Sequence, residues 1–173
     1  YQRIERAPCF VVCIGGYLDR FDILYKEDNT IKDSKEVRSY LQSKKKKLFS
    51  YEIFENLDLS KGNYEELEFQ FSSFVGCNFT QSSWNKSHLL FSNLQNTMLK
   101  NTKMEKMKIF DTDFSGATLE QVDFAGAKIK HVSFAGAKLI QVDFSKVLLA
   151  EEINFQDAQI VDCKFPEEVG SGL

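Results

Sequence analysis

From Phe54 onward, every fifth residue of this chain is large and apolar. The series runs Phe54, Leu59, Tyr64, Phe69, Phe74, Phe79, Trp84, Leu89, Leu94, Leu99, Met104, Ile109, Phe114, Leu119, Phe124, Ile129, Phe134, Leu139, Phe144 and Leu149. It then slips by one residue and resumes at Phe155, Ile160 and Phe165. A period of five excludes both regular elements. On an α-helix, five residues turn about 140° beyond one full turn, so the apolar positions spiral and form no stripe. On a straight strand an odd period sends successive members to opposite faces. The backbone must therefore change direction once per repeat.

A second series lies two residues before the large one and is small or β-branched: Ser72, Cys77, Ser82, Ser87, Ser92, Thr97, Thr102, Thr112, Ala117, Val122, Ala127, Val132, Ala137, Val142, Val147. Residues two apart on an extended segment share a face. Each repeat thus reads as a short extended piece, one small and one large side chain pointing inward, followed by a corner. The three remaining positions hold nearly all the charge. Glu52, Leu57, Gly62 and Leu67 fit the small position poorly and predict an irregular first coil. The slip predicts a bulge or small loop at Ala150 to Ile153, because an extra residue inside a paired segment flips every later side chain.

The repeats Thr112-Asp113-Phe114-Ser115-Gly116, Val122-Asp123-Phe124-Ala125-Gly126, Val132-Ser133-Phe134-Ala135-Gly136, Val142-Asp143-Phe144-Ser145 and Cys77-Asn78-Phe79-Thr80 resemble those of the pentapeptide-repeat proteins. The resemblance covers roughly residues 49–166. It implies an all-β fold, a right-handed quadrilateral parallel β-helix with four repeats per square coil and its large residues stacked along the axis.

Three segments are expected: an N-terminal α/β extension over 1–48, the β-helix over 49–166 and a flexible tail over 167–173. In the extension, Pro8 to Tyr17 and Phe21 to Tyr25 read as strands, and Glu27 to Thr30 as a turn. Val37, Tyr40 and Leu41 have helical spacing after Asp33 or Ser34, either of which can cap a short helix. Such a helix would cover the apolar rings and unpaired edges of the first coil. No apolar run reaches eighteen residues, so no transmembrane helix is expected. The chain starts at Tyr1, which suggests a trimmed sequence.

The charge is unevenly divided. Residues 1–48 hold eleven Lys and Arg against seven Asp and Glu, and residues 49–173 hold eleven against eighteen, giving +4 and −7. The run Lys44 to Lys47 reads as a solvated linker, since no second basic stretch with interleaved aromatics accompanies it, and no direct nucleic-acid contact is expected. Cys77 and Cys163 occupy the small inward position, where a thiol acts as a small hydrophobe. Cys9 and Cys13 share one face of the first expected strand. Zinc spacing is missing, and a reducing, cytoplasmic location follows.

No catalytic, cofactor-binding or metal-binding constellation is expected. His88 and His131 occupy different outward positions about two coils apart. Asp113, Asp123 and Asp143 read as turn-forming residues. Stacking residues twenty apart places Lys61, Gln81, Asn101, Gln121 and Gln141 in one outward column, and Glu66, Lys86, Lys106, Gly126 and Lys146 in another. It also gathers Phe71, Leu90, Phe91 and Phe110 at outward positions of neighbouring coils. Clustered exposed apolar side chains mark a contact surface, so these four are the candidate partner-binding residues, covered by residues 1–48 or by another chain. The expected function is a non-catalytic rod that binds a protein partner, with a homodimer as one form of that association. The resemblance implies an alternative: some members mimic DNA, bind gyrase and protect it from quinolones. A secreted bacterial effector is a third class.

Overall fold

Each five-residue repeat forms one side of a square coil, and each coil lies in register on the next. The computed structural model describes residues 33–43 and 47–166. The expected N-terminal strands and turn, Cys9, Cys13, Lys44 to Lys46 and the tail lie outside those residues.

After helix α1 (Ser34–Gln42), ten short strands follow: β1 (Leu48–Ser50), β2 (Glu68–Gln70), β3 (His88–Leu90), β4 (Met98–Lys100), β5 (Lys108–Phe110), β6 (Thr118–Glu120), β7 (Lys128–Ser133), β8 (Lys138–Ile140), β9 (Leu149–Asn154) and β10 (Gln159–Val161). One face is a six-stranded parallel sheet in the order β1-β2-β3-β5-β7-β9, one strand from each coil. A second face orders β10-β8-β6-β4. The other two faces carry parallel bridges, such as Ser73↔Asn93 and Asp123↔Asp143. Pairing at a spacing of twenty, as in Phe69↔Leu89 and Leu89↔Ile109, makes the helix quadrilateral.

The interior contains the large series from Phe54 to Phe144 as predicted, whereas Leu149 gives up its inward place and Ile160, in the last coil, is exposed. Phe69, Phe79, Leu99, Phe114, Phe124 and Phe134 are fully buried, and Phe49 extends the series by one repeat at its start. Rings stack between coils: Phe114 on Phe134 at 5.3 Å and Phe124 on Phe144 at 5.3 Å. The small series is buried between them, and its hydroxyls satisfy backbone carbonyls. Ser87 donates to Tyr64 O at 2.7 Å, and Thr102 to Phe79 O at 2.9 Å. This explains why Ser and Thr are tolerated inside: a buried hydroxyl is costly only when unpaired.

Two local expectations are corrected. The first coil is regular, with Leu48↔Glu68, Ile53↔Ser73 and Asn63↔Ser83 all in register. With no coil beneath, its inward positions have room for larger groups. Leu57 and Leu67 are buried there, and Gly62 leaves its space to the Tyr64 ring, which an added Cβ would overlap. Helix α1 stands where a preceding coil would. Asp33 caps it by accepting from Lys35 N, and Val37 and Leu41 are buried. The ring of Tyr40 meets Phe49 edge-on at 5.3 Å. Ser34 Oγ accepts from Asp58 N, and Arg38 donates to Asp58 O, so side chains of α1 satisfy backbone groups that a lower coil would otherwise pair.

The second correction concerns the slip. It lies at Leu148 and Leu149, which together stand opposite Lys128, and not at Ala150 to Ile153. Leu148 N already donates to Ala127 O. Ala150, not Leu149, pairs with Ile129 and takes the inward position. Within β9 the strand is undistorted. A bulge fits at the corner because Leu148 can turn outward, where it is 71% exposed; inside β9 it would have interrupted the pairing with β7.

Candidate functional site

Nearly every corner of the square turns through the left-handed backbone region, the corner at Lys146 before the slip being the exception among the described residues. One corner column contains Lys61, Gln81, Asn101, Gln121 and Gln141, all at φ between 50° and 59°. Gln121 Nε2 donates to Gln141 Oε1 at 2.9 Å, so this amide column is partly bonded between coils. Another corner alternates Asn56, Gly76, Asn96 and Gly116, residue types that accept positive φ most readily.

The corner after the six-stranded face differs. Its column is Tyr51, Phe71, Phe91, Asp111, His131 and Glu152, all at positive φ. Three consecutive aromatic residues thus occupy a conformation that costs a side-chain-bearing residue roughly 1–2 kcal/mol. Their rings stack outside the coil. Tyr51 lies 5.2 Å from Phe71 and Phe71 lies 5.0 Å from Phe91, with interplanar angles of 8° and 7°. Stacked pairs return about 0.5–1.5 kcal/mol each. Phe91 remains 38% exposed and Tyr51 42%.

The neighbouring outward column brings Leu90 into register with Phe110 across β3 and β5. Both are half-buried. The structure therefore unites the four candidate residues on one face and its corner: Phe71 stacks on Phe91, Leu90 precedes Phe91, and Phe110 lies one coil further. Tyr51 belongs to the same ladder and was missed from the sequence. Its signal was the twenty-residue spacing to Phe71, obscured because the apolar series begins after it.

Beyond Phe91 the ladder becomes polar. His131 Nδ1 lies 3.1 Å from Asp111 Oδ1, and His131 Nε2 lies 3.1 Å from Glu152 Oε1. His88 lies on the opposite edge of the face beside Glu68, at 3.6 Å, so the two histidines do not share a site. Among the described residues no group of three His, Cys, Asp or Glu side chains is placed to hold a metal ion. Asp113, Asp123 and Asp143 accept from the backbone N–H two residues on, at 2.8, 2.9 and 2.9 Å. These are turn contacts, as expected. The bond from the Ser145 hydroxyl holds the Asp143 carboxyl below the ordinary carboxylate range. Cys77 is buried, and desolvation pushes its thiol up to about 12. A thiol in that state is a poor nucleophile and metal ligand. Among the described residues no helix is long and apolar enough to cross a membrane.

Residues 77–152 match the family model described as a pentapeptide repeat region. No curated protein sequence matches the chain. Among solved structures, two trypsin-treated variants of QnrB1, a plasmid-mediated fluoroquinolone resistance protein, superpose with TM-scores of 0.65 and 0.64 at 22% and 21% identity. In both cases the match covers 69% of this chain and 60% of the QnrB1 chain, so this chain spans less than two thirds of that protein. A pentapeptide repeat protein from the Arabidopsis thaliana thylakoid lumen matches with a TM-score of 0.52 at 19% identity, over 63% of this chain and 73% of that one. At these identities the likeness is one of fold.

Proposed function

Starting from a chain that carries a pentapeptide-repeat β-helix, we propose that it is a non-catalytic interaction module, a rigid rod that binds a protein partner through Leu90, Phe91 and Phe110, with Phe71 supporting Phe91. One observation supports this above the rest. Among the described residues only this corner puts aromatic residues at positive φ, where Gly or Asn would be cheaper and where the other corners have polar residues or glycine. Backbone strain retained against an easy alternative points to a use for the side chain. Free thiols at Cys77 and Cys163 fit a reducing, cytoplasmic compartment. The double variant Phe91→Ser/Phe110→Ser tests the reading. Loss of a partner or of a dimer in sedimentation, with the melting temperature kept, supports it. Loss of monomer stability with unchanged association instead assigns the patch to cover by residues 1–48. A variant that changes neither is ordinary surface and ends the proposal.

A second reading rests on the superposition with QnrB1 and on the −7 charge of residues 49–173. On it, the rod mimics DNA, binds gyrase and relieves quinolone inhibition. The test is a supercoiling assay with and without drug. Relief that fades with salt supports charge mimicry; unchanged supercoiling and unchanged drug sensitivity remove it.

A further inference from the structure

The six-stranded face has two unlike edges. In β1, β2, β3, β5 and β7 the first and third residues point outward, about 6.6 Å apart, with the second residue buried. On β5 these are Lys108 and Phe110 around Ile109; on β3, His88 and Leu90 around Leu89. The apolar column therefore runs beside a basic one, His88, Lys108 and Lys128, joined in register. The corner before this column adds Lys86, Lys106 and Lys146.

Charge compensation differs between the edges. At the aromatic corner, Asp111 and Glu152 both lie against His131, and Lys130 pairs with Glu151 at 3.0 Å. At the basic edge only the N-terminal end is compensated, where Glu66 lies 3.4 Å from Lys47 and 3.8 Å from Lys86, and Glu68 lies 3.6 Å from His88. Among the described residues, Lys106, Lys108, Lys128 and Lys146 have no carboxylate within ion-pair distance and all are exposed. The lysines are scattered in the sequence, and only coil stacking aligns them.

We propose that this face takes an acidic amphipathic helix of a partner protein, its apolar side on Leu90, Phe91 and Phe110 and its carboxylates on Lys106, Lys108 and Lys128. The inference rests on the protein-binding reading above and specifies the partner's chemistry. The spacing fits. Coils repeat about every 4.8 Å along the rod, and an α-helix lying parallel to the rod rises 5.4 Å per turn. One turn therefore meets one coil, and the mismatch over three coils, about 2 Å, is within the reach of a lysine. The N-terminal extension offers the basic edge no net complementary charge, since residues 1–43 balance seven Lys and Arg against seven Asp and Glu and the run Lys44 to Lys47 is itself basic. A duplex or a membrane would bring its dense negative charge against a rod whose residues 49–173 carry −7. A helix matched to this edge alone avoids that repulsion.

The probe is a fluorescein-labelled amphipathic peptide with one leucine face and one glutamate face, read by anisotropy with the full chain. Three controls are a scrambled peptide of the same composition, a peptide with glutamine in place of glutamate, and the Lys108→Glu/Lys128→Glu variant checked for fold by circular dichroism. The expected result is saturable binding that weakens at least tenfold in the lysine variant. It also weakens as ionic strength rises from about 0.1 to about 1 M, where the Debye length falls from about 10 to about 3 Å. Equal binding of the glutamine peptide, lost in Phe91→Ser/Phe110→Ser, overturns the acidic specificity while leaving the apolar reading standing. Unchanged binding by the lysine variant, equal binding of the scrambled peptide, or no binding at about 1 mM peptide each overturns the inference. Tighter binding to duplex DNA or to phosphatidylserine vesicles than to the peptide overturns it as well, and assigns the edge to that polyanion.

Discussion

Gly62 illustrates how one side chain fixes its neighbour. It sits at an inward small position, and the space its missing Cβ leaves is filled by Tyr64, whose hydroxyl donates to Leu59 O at 2.9 Å. The Tyr64 ring is fully buried and has no room to swing away. Gly62→Ala should therefore cost about 1–3 kcal/mol by overpacking, measured by urea denaturation. A cost near zero would mean that the ring relocates without penalty. Asp143 is the second residue-scale test. Its pKa is held down first by the Ser145 hydroxyl. A carboxylate with a lowered folded pKa contributes stability above its unfolded value, near 3.9, and that contribution is lost as pH falls through the folded value. Ser145→Ala should lower the melting temperature slightly at pH 6. It should leave it unchanged at a pH below both values, where the carboxyl is protonated in either variant. A variant that loses as much at the lowest pH as at pH 6 would place the effect elsewhere.

Stacked columns make the coil the unit of stability. Phe134 lies between Phe114 at 5.3 Å and Phe155 at 5.5 Å and meets Phe144 edge-on at 5.9 Å. Phe134→Ala leaves a ring-sized cavity in a column with little freedom to collapse, and a loss of about 3–5 kcal/mol is expected from chemical denaturation. The bulge gives a contrasting expectation. Leu148 is the supernumerary residue, solvent-exposed at a corner. Deleting it restores a twenty-residue coil and should leave a folded rod. Deleting Lys130, which lies in a coil with no spare residue, should throw Val132, Phe134 and Leu139 out of phase and unfold the coils beyond it. Equal tolerance of both deletions, seen in melting curves, would contradict the placement of the extra residue at Leu148.

For the whole molecule, contacts between coils are limited to nearest neighbours, so local stability follows position along the rod. Helix α1 covers the N-terminal end through Val37 and Leu41 and through the side chains that satisfy Asp58. Val37→Asp together with Leu41→Asp should detach it. Hydrogen exchange should then accelerate in residues 49–64, while residues 89–144 keep their protection. Uniform acceleration along the rod would show instead that the solenoid unfolds as one cooperative unit, as some short repeat arrays do.

The sequence by itself determined that the backbone turns once per five residues, and its resemblance to the pentapeptide-repeat proteins implied the square β-helix and its twenty-residue stacking. The buried rings, the buried hydroxyls and the aspartate turns were legible for the same reason: each depends only on its phase within the repeat. The placement of the slip was not. Leu149 keeps the five-residue phase as well as Ala150 does in composition, and only the pairing with Lys128 and Ile129 decides between them. The regularity of the first coil was also hidden, since it depends on α1 and on Tyr64 filling space that no local pattern reveals. The lysine edge is the clearest tertiary product. Lys106, Lys108, Lys128 and Lys146 form no run in the sequence, and their alignment comes from backbone hydrogen bonds that set coil upon coil. Periodicity specifies what points inward, where packing leaves few choices. What gathers on the outside is decided by the stacking of residues twenty apart.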